Sequence, residues 1–176
     1  PDLKNKATYQ QAVHYGGLSW KVRGVDSIAD KMSWAGNSNV FAYRFDWDEE
    51  PSQYGFDLSI ALGAAHALEI PFVFGDFEGG LFSGLYPNDE AQYQLSESIT
   101  SYWTEFAYTG RPAKGREKSE PYWASWKENN QTSLILDTEK DAGIRMISDH
   151  YTINGIKQAF LSDQFENDND KCSLYK

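Results

Sequence analysis

The sequence predicts an α/β fold with an incomplete sheet. Segments with helical spacing of apolar residues alternate along the chain with two short runs of strand character, the pattern of helices laid on a sheet. Two strand runs are too few for a complete doubly covered sheet. Size and composition agree with one compact unit: 176 residues, 40% hydrophobic and 15% aromatic, are enough for one domain with a real core and exclude a disordered chain.

Residues 1–35 are mixed. Tyr9 to Val22 carries aromatics and a glycine pair, Gly16 and Gly17, while GVDSIADKMSW (24–34) reads as helix, because Ile28, Met32 and Trp34 recur at helical spacing. In NVFAYRFDWDEEP (39–51) β-branched and aromatic residues dominate, large side chains fall on both faces, and Pro51 ends the run. A strand covered on both sides fits. The acids Asp46, Asp48, Glu49 and Glu50 lack the spacing of a calcium loop and read as a solvated turn. In IALGAAHALEIPFVFGDF (60–77), Pro71 separates a small-residue stretch from FVFGDF, and a turn-rich stretch reaches residue 89. The clearest helix follows. Asn88 or Asp89 caps it, Leu95, Ile99, Trp103, Phe106 and Ala107 form its apolar stripe, and Gly110 stops it with Pro112 just beyond. Residues 111–132 read as a charged surface loop with aromatics set into it, SLILD (133–137) as a short strand, 145–162 as a final helix with Ile153, Ile156, Phe160 and Leu161 buried, and 163–176 as a frayed tail.

The net charge of −10 repels phosphate backbones, so nucleic acid is excluded as a partner and the acidity is read as solubility. A lone cysteine, Cys172, forms no metal cluster and no internal disulfide, leaving a free thiol or a bond to another chain. No apolar run reaches the ~18 residues of a membrane span. There is no signal peptide, but the chain starts at Pro1, which suggests a cut or processed start. Asn130-Gln131-Thr132 is a glycosylation sequon.

Of the three histidines, His14, His66 and His150, His66 stands apart. It follows a buried-type strand and a loop, where α/β sheets place their chemistry, and its neighbours Gly63, Ala64, Ala65 and Ala67 are small enough to let another group approach the imidazole. A catalytic histidine of the Ser-His-acid type needs a hydroxyl to deprotonate and a carboxylate to fix its tautomer. The nucleophile elbow G-x-S-x-G is absent: GLSWK (17–21) lacks the second glycine, Gly36-Asn37-Ser38 sits in a turn before a strand, and Ser83 lies in LFSGL. If His66 is catalytic, its nucleophile lies outside this chain. Glu69, three residues on, is either the triad acid or a supporting carboxylate; the short spacing makes its approach to the far imidazole nitrogen awkward and favours support.

GAAHALEIPFVFG resembles the histidine segment of the type-B carboxylesterase and cholinesterase family of the α/β-hydrolase fold, with Gly63, His66, Glu69, Phe72, Val73, Phe74 and Gly75 on the pattern G-x-x-H-x-x-E-x-x-F/Y-V-F-G. NVFAYRFDWDE is similar to the aromatic strand before that segment, ITSYWTEFAYTGRP to the helix after it, and YWASW with SLILD to the tryptophan loop and short strand beyond. The resemblance runs in order over residues 39–162. One departure stands out: the residue after the histidine, commonly glycine in the family, is Ala67.

The resemblance implies that residues 1–176 are a single segment, the C-terminal part of one α/β-hydrolase catalytic domain whose central sheet is completed by an N-terminal portion not in this chain. His66 would be the catalytic general base and Glu69 a supporting glutamate, with serine, triad acid and oxyanion loop all upstream. Leu62, Ala65 and Leu68 would contribute to substrate binding. The reaction would be hydrolysis of a small carboxylic ester with no cofactor and no metal, and the segment alone would be inactive. Family habit and the sequon suggest secretion. The alternative is a non-catalytic adhesion or binding relative, from which a G-x-S-x-G in the upstream portion would discriminate the enzyme.

Overall fold

The computed structural model describes residues 6–53, 55–78, 83–128 and 130–174. The order of elements is α1 (Lys6–Lys21), a π-helical turn (Val22–Asp26), α2 (Ser27–Trp34), β1 (Tyr43–Phe45), α3 (Leu58–Ala61), α4 (Ile70–Phe74), α5 (Glu90–Thr109), β2 (Ser133–Leu136), β3 (Arg145–Ile147), α6 (Ile153–Ser162) and α7 (Asp168–Leu174). The α/β class is as expected. The three strands lie in the order β1-β2-β3, with β1 parallel to β2 (Arg44 opposite Ile135) and β3 antiparallel to it (Leu134 opposite Met146). β2 is fully buried, which suits its unbroken Leu134-Ile135-Leu136 run, and among the described residues β1 has a neighbouring strand on one side only.

The core is aromatic and centres on Phe72 of α4. Its ring is fully buried and lies 5.0–5.2 Å from the rings of Phe45, Trp47 and Phe77, with Tyr86 at 5.9 Å. Most of these pairs meet edge to face, the arrangement that ring quadrupoles favour. Trp123 is a second hub: it meets Tyr102 at 5.4 Å and Trp103 at 5.6 Å, and its indole N–H donates to the Ala42 carbonyl at 3.1 Å. The stretch 111–132, expected to be a surface loop, is therefore pinned by its tryptophans, because burying Trp123 and Trp126 outweighs solvating the charges around them.

Helix α5 has the predicted caps. Asp89 accepts from the Gln92 N–H at 2.9 Å, and Gly110 ends the helix at φ +75° with its N–H on the Phe106 carbonyl. Its buried face runs through Gln92, Leu95, Ser96, Ile99 and Tyr102, so Leu95 and Ile99 of the expected stripe are core residues while Phe106 and Ala107 are exposed. The last turns of α5 project past the core, and Phe106 keeps an edge contact with Phe41 at 6.0 Å.

The ends of the chain hold more regular structure than the sequence reading assigned them. Residues 6–21 form a helix despite Gly16 and Gly17, at a cost of about 1 kcal/mol for each glycine. Long-range contacts offset that cost: the Tyr15 hydroxyl donates to Asp163 at 2.9 Å and the Tyr15 ring meets Phe160 at 4.9 Å. The final helix starts at Ile153 rather than 145, because Arg145–Ile147 completes the sheet and Thr152 then caps the helix, accepting from Gly155 N–H at 3.0 Å. Of its predicted buried residues, Ile153 and Leu161 are exposed and Phe160 is buried. The tail is helical over Asp168–Leu174, capped by Asn167, which accepts from the Asp170 N–H.

Candidate active site

His66 stands on the turn between α3 and α4, and the sequence builds that turn locally. Pro71 occupies the first turn of α4, where its missing N–H costs nothing, and Gly75 closes the helix at φ +65°. The orphan carbonyls at the end of α4 are met from α5: Ser96 donates to the Phe72 carbonyl at 2.8 Å and Thr100 to the Val73 carbonyl at 3.2 Å. Leu68 is buried and its carbonyl accepts from the Tyr86 hydroxyl at 3.1 Å. With Leu68 and Phe72 in the core on one side, His66 is presented outward on a rigid base.

The imidazole is exposed, and its one ring neighbour among the described residues is Trp20, 5.1 Å away and tilted by 40°. Glu69 lies behind the turn. The phenol of half-buried Tyr43 has its pKa pushed up by burial and then by the Glu69 charge. Leu62 is 40% exposed, Ala65 is half-buried against the core, and Leu68 is 3% exposed, so the Leu68 side chain fixes the turn from inside. Two surface concavities of about 450 Å³ lie elsewhere; neither includes His66, Glu69, Leu62, Ala65 or Leu68.

Ala67 has φ +73°. This left-handed backbone costs an L-residue ~1–2 kcal/mol and costs glycine almost nothing, so the expected glycine position is real and Ala67 holds it under strain. Ala67→Gly is expected to raise stability by ~1 kcal/mol, read from the urea midpoint; a lowered midpoint would mean that packing of the alanine methyl outweighs the strain.

The acidic run after β1 is not uniformly solvated. Asp48 is exposed, but Glu50 is 5% exposed, and among the described residues neither of its carboxylate oxygens has a partner. Burial, with Asp48, Glu49 and Asp57 nearby, pushes the Glu50 carboxyl up to about 7. Asp137 is pushed up to about 6 by burial and by Glu49, Asp141 and Asp46, against the Thr138 N–H that favours its charge. The carboxylates of Glu49, Asp137 and Asp141 lie within 4.8 Å of one another, and the Thr138 hydroxyl donates to Glu49. For Glu50 the folded state keeps a proton that the unfolded chain releases near 4.5. Its contribution to stability is therefore present below pH 4.5 and lost as pH rises to about 7. Glu50→Gln should remove that loss, raising stability at pH 8 by up to ~3 kcal/mol while changing it little at pH 4. Urea unfolding at the two pH values checks this, and equal gains at both would contradict it.

The other two histidines are placed otherwise. His14 lies exposed on α1 beside Tyr15, and His150 Nε2 sits 3.0 Å from Asp30 Oδ2. Burial raises the Asp30 carboxyl, but hydrogen bonds from Trp126, Gln131 and His150 outweigh it and hold the carboxyl low.

The family model for the carboxylesterase family matches residues 3–154. The chain belongs to that family. Similar carboxylesterase-family relatives include the para-nitrobenzyl esterase of Bacillus subtilis (strain 168), 38% identical over 101 residues, which are 57% of this chain and 18% of the relative. The acetylcholinesterase of Danio rerio is 33% identical over 109 residues, 60% of this chain and 16% of the relative. The solved structure of a thermophilic PNB esterase aligns with a TM-score of 0.45 at 32% identity, over 61% of this chain and 19% of that one. This carboxylesterase chain thus spans less than a fifth of the length of these relatives.

Proposed function

We propose that the chain is the C-terminal segment of one serine carboxylesterase catalytic domain and that His66 is its general base. The observation that carries this reading is an exposed imidazole on a turn fixed from behind by buried Leu68 and Phe72, in a family match spanning residues 3–154. His66 takes the proton of a serine hydroxyl as the serine oxygen bonds to the ester carbonyl carbon, and then gives it to the departing alkoxide, leaving an acyl-enzyme and a free alcohol. Water, deprotonated by His66, cleaves the acyl-enzyme to the carboxylic acid and restores the serine. The cycle calls for neither metal nor cofactor.

Serine, triad acid and oxyanion donors come from the upstream portion, because the chain has no G-x-S-x-G and the three-residue spacing of Glu69 from His66 makes its approach to the far imidazole nitrogen awkward. Glu69 supports the turn, and Leu62 and Ala65 form part of the substrate wall. The surface supports an upstream partner: Trp34 and Phe74 are 78% and 77% exposed, and among the described residues β1 has a strand on one side only. The test is hydrolysis of 4-nitrophenyl acetate by the 176-residue chain alone and by the polypeptide extended with its upstream portion. No turnover alone and turnover in the extended protein is the expected result. Inactivity in both would favour a non-catalytic binding protein, and activity of the chain alone would contradict the division of the triad.

A further inference from the structure

We propose that Trp20 is a positioning residue for His66, holding the imidazole in one orientation by contact with its indole ring; this rests on His66 being the general base. The two rings come from elements far apart in sequence and lie 5.1 Å apart at 40°. An exposed histidine on a turn is otherwise free to rotate about its side-chain torsions, and a base has to keep one nitrogen aimed at the hydroxyl it serves. A ring contact contributes about 0.5–1.5 kcal/mol, enough to favour one rotamer several-fold.

Trp20 is itself held in place, although its side chain is 63% exposed. The next residue, Lys21, donates its ammonium to Asp26 at 2.6 Å and to the Asp149 carbonyl at 2.9 Å, and Asp26, fully buried, also accepts from the Tyr151 N–H at 2.9 Å. One turn on, Gly24 lies under the indole: a Cβ there would meet Trp20 Cδ1 at 3.4 Å and Nε1 at 3.6 Å. The indole therefore lies close to the backbone of Gly24 as well as to the imidazole of His66. Near the other end of α1, the Tyr9 hydroxyl donates to the Ala61 carbonyl at 2.6 Å, tying the helix to α3 just before the histidine turn. Helix α1 is thus hooked to α3 just before the His66 turn at one end and brings an indole ring against the histidine at the other. That arrangement is more than a stray surface contact needs.

The test compares Trp20→Ala and Trp20→Phe in the polypeptide that carries the upstream portion. Trp20→Ala should lower kcat for 4-nitrophenyl acetate ~10-fold with KM within about twofold, and Trp20→Phe should restore most of the loss. In histidine-labelled protein the His66 ring proton, assigned with His66→Gln, should lose its ring-current shift in Trp20→Ala and keep part of it in Trp20→Phe. Unchanged kcat in Trp20→Ala overturns the proposal. A loss that Trp20→Phe does not rescue, accompanied by a lowered unfolding midpoint, overturns it too, in favour of a purely structural tryptophan. If His66→Gln itself keeps wild-type turnover, the base assignment falls and the proposal with it; loss in His66→Gln with none in Trp20→Ala overturns the Trp20 role alone.

Discussion

His66→Ala should lower kcat for ester hydrolysis by on the order of 10⁴-fold or more in the polypeptide that carries the upstream portion. Without the base, the serine hydroxyl is a weak nucleophile and the leaving alkoxide has no proton donor. The same substitution should lower stability by no more than about 1.5 kcal/mol, because the imidazole is exposed and its one ring contact among the described residues is with Trp20. That pairing of outcomes separates chemistry from folding. A loss smaller than tenfold would mean that another group takes the proton. A large loss accompanied by a lowered unfolding midpoint would mean that the turn, rather than the base, had been damaged.

Phe72→Ala should lower stability by about 4 kcal/mol, the largest effect expected of any single core change here. The ring is fully enclosed and touches four other aromatic rings, so the cavity has stiff walls and collapses poorly. Phe72 also anchors α4, whose carbonyls Ser96 and Thr100 hold from α5, so its loss loosens the turn that presents His66. Phe72→Leu, which keeps most of the volume, should cost less than half as much. Denaturant unfolding reads both, and a cost below about 1 kcal/mol for the alanine variant would show that the core is not organised around this ring.

What could be read from the chain alone follows a physical line between local and distant causes. Helix α5 was legible because its cap, its stop and much of its stripe are neighbours in sequence. The His66 turn was legible only in part: its small residues and the break at Pro71 are local, whereas α4, which Pro71 starts and Gly75 ends, was not read as a helix. Helix α1 was not. Its glycine pair argues against a helix, and what stabilises it comes from Asp163 and Phe160, nearly the whole chain away. β3 is only three residues long and exists because β2 pairs with it, so its residues read as the start of α6. The buried state of Glu50 was hidden inside a run of acids that looks solvated when read in one dimension. At the candidate site, His66, Glu69 and Leu62 could be named from their motif, whereas Trp20, 46 positions earlier, could only be found once α1 was seen to lie across the histidine turn. The left-handed backbone at Ala67 makes the one departure from the family pattern a strained one, since the position asks for glycine whatever residue fills it.

The central claim is that His66 activates a serine supplied from upstream. The measurement that tests it most directly is labelling of the polypeptide that carries the upstream portion with an organophosphonate serine probe, read by intact mass under denaturing conditions with and without reductant, for wild type and His66→Ala. One label per molecule on an upstream serine in the wild type, and none in His66→Ala over the same time, is the expected result. Equal labelling of both proteins, or no label on the wild type, would contradict it.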